Sequence, residues 1–113
     1  MALTSHPAFG TAFLNDVNPE MGFAQQVYGY GRDGDVLLGI STSGNSKNVC
    51  NAVGVAKSLG LKTIGLTGRK GGRLSELCDV CIRVPADSTA DIQELHLPIY
   101  HTLCAMLEEL FFD

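Results

Sequence analysis

Short apolar runs alternate with amphipathic stretches along this chain, the arrangement that βα units produce. Residues 35–40, Asp35-Val36-Leu37-Leu38-Gly39-Ile40, are almost continuously apolar and follow the turn-forming Gly31-Arg32-Asp33-Gly34. They predict a fully buried strand. Over residues 46–59, Val49, Val53, Ala56 and Leu59 recur at helical spacing, and Gly60 supplies a C-terminal cap. Lys62–Thr67 predicts a second strand, residues 73–77 a short helix, and residues 80–84 a third strand stopped by Pro85. Upstream, residues 9–14 predict another strand and residues 21–30 another helix.

The last segment, residues 91–112, predicts a long helix. Its apolar stripe of Ile92, Leu95, Ile99, Leu103, Met106, Leu107 and Leu110 covers about one third of the circumference at roughly 100° per residue. Pro98 removes one helical hydrogen bond and predicts a bend. Strands separated by helices of these lengths imply an α/β fold with three layers, αβα, and a mostly parallel sheet. In such sheets ligands bind at the carboxyl ends of the strands.

Composition narrows the picture. A length of 113 residues suits one domain, and 45% hydrophobic residues argue against wholesale disorder. Eight Lys/Arg against twelve Asp/Glu leave a formal charge of −4, the opposite of a chain that grips phosphodiester backbones. Direct nucleic-acid binding is not expected. No apolar run approaches the ~20 residues of a membrane span, and the first residues carry no secretory signal pattern. A soluble cytoplasmic protein is expected. Cys50, Cys78, Cys81 and Cys104 lie in apolar surroundings and are read as buried structural thiols. Cys78-Asp79-Val80-Cys81 matches C-x-x-C, but it falls where a helix ends, whereas a redox pair wants a helix N-terminus. No second pair completes a zinc site.

Candidate chemistry sits after the 35–40 strand. Ser41-Thr42-Ser43-Gly44-Asn45-Ser46 offers four hydroxyls and a glycine directly before a helix. Hydroxyls, backbone N–H groups and the helix N-terminus can all serve a phosphate. The same residues also make an ordinary Ser/Asn-rich helix cap, so two readings stand. Neither the P-loop nor the dinucleotide glycine pattern is present, and no nucleotide cofactor is expected. No cluster of Lys/Arg flanks the loop in sequence, which favours a single terminal phosphate on a small molecule.

Gly39-Ile40-Ser41-Thr42-Ser43-Gly44-Asn45-Ser46, then Gly65-Leu66-Thr67-Gly68, then Ile92-Gln93-Glu94-Leu95-His96 and His101 resemble a SIS (sugar isomerase) domain of the phosphoheptose isomerase family. The resemblance runs from residue 3 to residue 112. It implies a flavodoxin-like SIS fold, a cytoplasmic enzyme of heptose and surface-polysaccharide synthesis, and a homo-oligomer, in the family a tetramer. Ser41, Thr42, Ser43 and Ser46 match phosphate-binding hydroxyls, in agreement with one of the two readings above. Asn15 and Asp16 match a loop that binds sugar hydroxyls, although by chemistry alone they read as a turn. Gln93 and His101 match active-site positions, the histidine as an acid/base group, and in some members both bind zinc. They lie roughly 80° apart on the predicted helix, off its main stripe. Without the resemblance they would read as surface side chains. His96 borders the stripe and is read as structural.

Two departures qualify the resemblance. Asp91 stands where the family usually has arginine, reversing a charge near the site. Residues 1–34 match neither the family's Gly-Asn-Gly-Gly-Ser loop nor the helix bearing a histidine and the glutamate base. The expectation is therefore a single truncated SIS domain over residues 1–113, lacking its first strand and N-terminal helices. Isomerisation of sedoheptulose 7-phosphate to D-glycero-D-manno-heptose 7-phosphate passes through an enediol and needs that base. This chain alone is expected to be inactive, and two residues cannot complete a four-ligand zinc site. The alternative is a non-catalytic phosphosugar binder, or a protein that associates with the replication initiator. The missing strand predicts an open sheet edge and an exposed helix face, hence oligomerisation or low stability in solution.

Overall fold

A computed structural model describes residues 2–3 and 21–112. The elements run α1 (Gly22–Tyr30), β1 (Val36–Ile40), α2 (Lys47–Ser58), β2 (Lys62–Thr67), α3 (Leu74–Leu77), β3 (Val80–Arg83) and α4 (Thr89–Phe112). Each matches an expected element to within two residues at either end. The strand expected over residues 9–14 lies outside the described residues, as do Asn15 and Asp16.

The three strands form a parallel sheet in the order β1-β2-β3, with Gly39 opposite Gly65 and Gly65 opposite Cys81. This bears out the α/β architecture. Both crossovers advance the same way, so α2 and α3 cover one face, as right-handed connections require. A Cβ on Gly39 would meet Val49 Cγ1 at 2.9 Å, so the glycine lets α2 settle close to β1. Beneath α2, Cys50, Val53 and Leu74 pack with Leu37 and Val49. Val27, Ala52, Ala56 and Leu61 join α1 to α2 in an adjoining cluster.

The other face differs from expectation. Val36, Leu38 and Ile40 remain 59%, 38% and 42% exposed, so β1 is buried on one side only. The physical reason is the placing of the last helix. α4 docks at the carboxyl end of β2 and does not run along this face. Among its described residues only Ile92 and His96 are buried. Met106, Leu107 and Leu110, the distal part of the apolar stripe, are more than half exposed. The helix continues through Pro98, whose carbonyl accepts the Thr102 hydroxyl at 2.8 Å. No described helix is long and apolar enough to cross a membrane.

The cysteines are also less uniform than expected. Cys50 is buried, Cys78 and Cys81 are half-buried, and Cys104 is exposed, because it sits on the uncovered part of α4. Burial, and then the neighbouring Cys81, push the Cys78 thiol above its ordinary range. A raised pKa leaves little thiolate, the reverse of an activated redox pair.

Asp79 ties β3 to β2. Its carboxylate accepts from the Thr63 N–H at 2.8 Å and from the Thr63 hydroxyl at 3.1 Å, and its own N–H donates to that hydroxyl. The Thr63 hydrogen bonds, backbone before side chain, hold its pKa below the usual carboxylate range, with Lys57 and Lys62 adding attraction. A depressed folded pKa means that the stabilisation is present above the unfolded value of about 4. It is lost as pH falls through the folded value. Asp79→Asn should therefore lower the denaturation midpoint at neutral pH and flatten its acid dependence below about pH 4. Midpoints measured from pH 7 to pH 2 check this.

Candidate functional site

The carboxyl ends of β1 and β2 carry two loops that touch. The first, residues 41–46, continues from β1: the Ser41 N–H still donates to Leu66 O at 3.1 Å, and the chain then turns away into α2. Ser41 Oγ lies at the centre of the turn. It accepts from the Gly44 N–H at 3.1 Å and the Ser46 N–H at 3.4 Å. Ser43 Oγ accepts from the Asn45 N–H at 3.1 Å.

Ser46 is the N-cap residue of α2, yet its side chain makes no capping hydrogen bond. That counts against the plain capping reading. The hydroxyls of Ser41, Thr42, Ser43 and Ser46 donate no hydrogen bond among the described residues. Four O–H donors are thus held in one turn with their protons uncommitted. An anion acceptor would satisfy them.

The second loop, residues 68–73, follows β2. Three hydrogen bonds join it and the first residue of α3 to the first: Gly68 N–H to Thr42 O at 3.1 Å, Leu74 N–H to Gly44 O at 2.9 Å, and Arg73 N–H to Asn45 Oδ1 at 2.9 Å. Gly44, at φ +74°, sits so close to Gly71 that a Cβ there would run into the Gly71 carbonyl. Glycine is needed both for the backbone angle and for the approach.

This contact changes the electrostatic reading. Arg69, Lys70 and Arg73 belong to the second loop, and the stem of Arg83 lies against Gly71. Four of the eight cationic side chains of an acidic chain therefore gather at or against one loop. Read along the chain, the first loop has no flanking Lys/Arg cluster. The fold supplies one from the next strand end. The signal was Gly68-Arg69-Lys70-Gly71-Gly72-Arg73 following a second parallel strand, since adjacent parallel strands deliver their loops to the same edge. Arg69 is partly engaged, donating to Pro85 O at 3.0 Å and pairing with Asp87 at 3.4 Å. Both of those side chains are more than half exposed, and the ion pair contributes little.

His96 fastens α4 beside these loops. It is 1% exposed, and Nε2 donates to Thr67 O at 2.9 Å, which fixes the tautomer because a carbonyl only accepts. Its reading as structural stands. Ile92, one turn earlier, packs with Val84 and Ala86 and fills the space a side chain at Gly68 would need.

Gln93 and His101 lie exposed on the same helix, and neither makes a hydrogen bond among the described residues. Eight residues separate them, about 12 Å along a helix axis. His101 has the ring of Tyr100 beside it, centroids 6.4 Å apart. The fold brings the four hydroxyls together. Neither Gln93 nor His101 is hydrogen-bonded to them. No group of three or more His, Cys, Asp or Glu side chains among the described residues could hold a metal. Gln93 and His101 provide two donors where a closed zinc site takes four, so these residues do not by themselves fit zinc. Depressions of 370 Å³ beside Ala105, Glu108, Glu109 and Phe112, and of 270 Å³ beside Pro98, Ile99, Thr102 and Leu103, lie along α4. Their acidic and apolar linings suit no phosphate, and the two loops remain the candidate site.

Comparison with known proteins gives the chain a family. The chain is 47% identical over 109 residues to a phosphoheptose isomerase of Rhodospirillum rubrum, covering 96% of this chain and 58% of the relative. To that of Nitratiruptor sp. it is 50% identical over 111 residues, covering 98% and 59%. Among solved structures, phosphoheptose isomerase from Neisseria gonorrhoeae superposes with a TM-score of 0.92 at 43% identity, over 96% of this chain and 61% of that one. The Francisella tularensis phosphoheptose isomerase also gives a TM-score of 0.92, at 42% identity, over 96% and 59%. The chain thus spans about three fifths of the length of the relatives it matches. The SIS domain model matches residues 9–108, nearly the whole sequence, and the chain belongs to the SIS domain family.

Proposed function

We propose that this chain is the phosphate-holding part of a phosphosugar isomerase acting on sedoheptulose 7-phosphate to give D-glycero-D-manno-heptose 7-phosphate. The observation that carries the reading is the turn of four uncommitted hydroxyls at a strand end, with a cationic loop against it. The relatives are named phosphoheptose isomerases, and the resemblance to that family implies the particular heptose phosphates. A terminal phosphate would accept from Ser41, Thr42, Ser43 and Ser46, and Asn15 and Asp16 would take sugar hydroxyls. A cytoplasmic location goes with a sugar-phosphate substrate.

Aldose–ketose isomerisation removes a proton from one carbon and returns one to its neighbour through an enediol. His101 is the acid/base group in this reading, because imidazole is the side chain that both takes and gives a proton most readily in neutral water, and Gln93 assists by orienting the substrate. The family's glutamate base has no counterpart at the described site. A second polypeptide, or residues beyond these 113, would complete the catalytic set, and any zinc would take its remaining ligands from there. The exposed Met106, Leu107, Leu110 and Phe111 on α4 support assembly into a homo-oligomer.

Turnover tests this. The 113-residue chain alone should bind substrate and show no isomerisation above background. In an enzyme of the relatives' full length that contains this sequence, His101→Ala should reduce kcat at least 100-fold. Undiminished turnover in that variant removes His101 from the mechanism. One observation favours a second reading, the non-catalytic binder or initiator-associating protein: Gln93 and His101 make no hydrogen bond to the loops, while apolar surface on β1 and α4 lies open. Capture of purified initiator protein, with no isomerase activity in the full-length enzyme, would support it.

A further inference from the structure

We infer that Asn45 is a positioning residue of the site, its side-chain carbonyl clamping the second loop against the phosphate turn so that phosphate affinity depends on the clamp. The inference rests on the reading of residues 41–46 as a phosphate site.

Asn45 is held from both directions. Its N–H donates to Ser43 Oγ at 3.1 Å, and its Oδ1 accepts from the Arg73 N–H at 2.9 Å, across 28 residues of sequence. Arg73 precedes the first turn of α3, where a backbone N–H has no partner inside the helix. Asn45 supplies that partner from a different loop. The fit is close: a Cβ on Gly72, at φ +55°, would lie 2.8 Å from Asn45 Oδ1. The asparagine oxygen occupies space that only glycine at residue 72 leaves open.

Of the three hydrogen bonds joining the loops, two are backbone to backbone and use no side-chain atom. The Asn45 bond is the one that depends on a side chain. It lies at the far end of the seam, between Ser43 and Ser46 on one side and Arg73 on the other. Without it, the segment that bears Lys70 and Arg73 is held to the hydroxyl turn by the two backbone bonds at its ends alone and sits more loosely beside the hydroxyls. The phosphate then loses cationic neighbours while keeping its hydrogen-bond donors. A side chain that fixes its neighbours in advance raises affinity by sparing the ligand that ordering cost.

The test uses the 113-residue chain, titrated with inorganic phosphate and with sedoheptulose 7-phosphate. Asn45→Ala should weaken both about fivefold and speed hydrogen exchange of the Arg73 amide. Asn45→Asp retains the acceptor and should restore slow exchange at Arg73, a rescue that general destabilisation would not produce. Arg73→Pro keeps the φ of −66° but replaces the N–H by a ring carbon that pushes the Asn45 oxygen away, parting the clamp, and Arg73→Gln removes only the cation. Proline should weaken binding about fivefold more than glutamine does, and adding Asn45→Ala to Arg73→Pro should cost nothing further. Full affinity in Asn45→Ala overturns the inference and leaves the phosphate site standing, as do additive losses in the double variant. Failure of the unaltered chain to bind either anion overturns the phosphate reading itself.

Discussion

Replacing Gly44 by alanine should abolish measurable phosphate binding and lower stability by about 3 kcal/mol. Two costs act together. A residue with a side chain at φ +74° enters the left-handed region, which costs roughly 1–2 kcal/mol. The new Cβ also points into the Gly71 carbonyl, so the loops must part. Parting them strains the Leu74 N–H bond to Gly44 O and removes Arg73 from Asn45. The Ser41 turn is affected as well, because the Gly44 N–H is one of the two donors that orient its hydroxyl. Denaturant midpoints and phosphate titration check both parts. A Gly44→Ala chain that binds like the parent would show that the loop contact has no bearing on the site.

His96→Ala should release α4 from the sheet. Removing a buried imidazole leaves a cavity and takes one of the two hydrogen bonds that Thr67 O accepts, the other coming from the Val84 N–H. A loss of about 3 kcal/mol follows from the cavity and the hydrogen bond together. The effect should be local before it is global, since Ile92 is the only other described residue that α4 buries. Amides in the first three turns of α4 should exchange much faster, and those of β1 and α2 little faster. His96→Gln, which places a donor near the Nε2 position, should recover part of the protection. Equal protection of α4 in His96→Ala and the parent would contradict the anchoring role.

The elements were readable because each is short and punctuated. Gly60 closes α2, Pro85 ends the third strand, and the 3.6-residue period of α4 is unbroken over six turns. Burial was harder to read. Val36, Leu38 and Ile40 look like core in sequence, but hydrophobicity states only what a residue would gain by being covered. Whether α4 lies along that face or at the strand end is decided by the His96–Thr67 contact, 29 residues apart. The four hydroxyls were visible as a motif. The packing against them of the loop that bears Arg69, Lys70 and Arg73 was not, because that loop comes from a different strand end. Asn45 passed unnoticed for a similar reason. Inside a Ser/Asn-rich turn it resembles any helix-capping residue, and its actual partner lies 28 residues away.

Chemical-shift mapping of the isotope-labelled chain during titration with sedoheptulose 7-phosphate, beside unphosphorylated sedoheptulose, addresses the phosphate site most directly. The phosphate turn predicts saturable shifts confined to residues 41–46 and 68–73 with the phosphorylated sugar, and none there with the unphosphorylated one. Shifts of equal size with both sugars, or none in either loop, would contradict it.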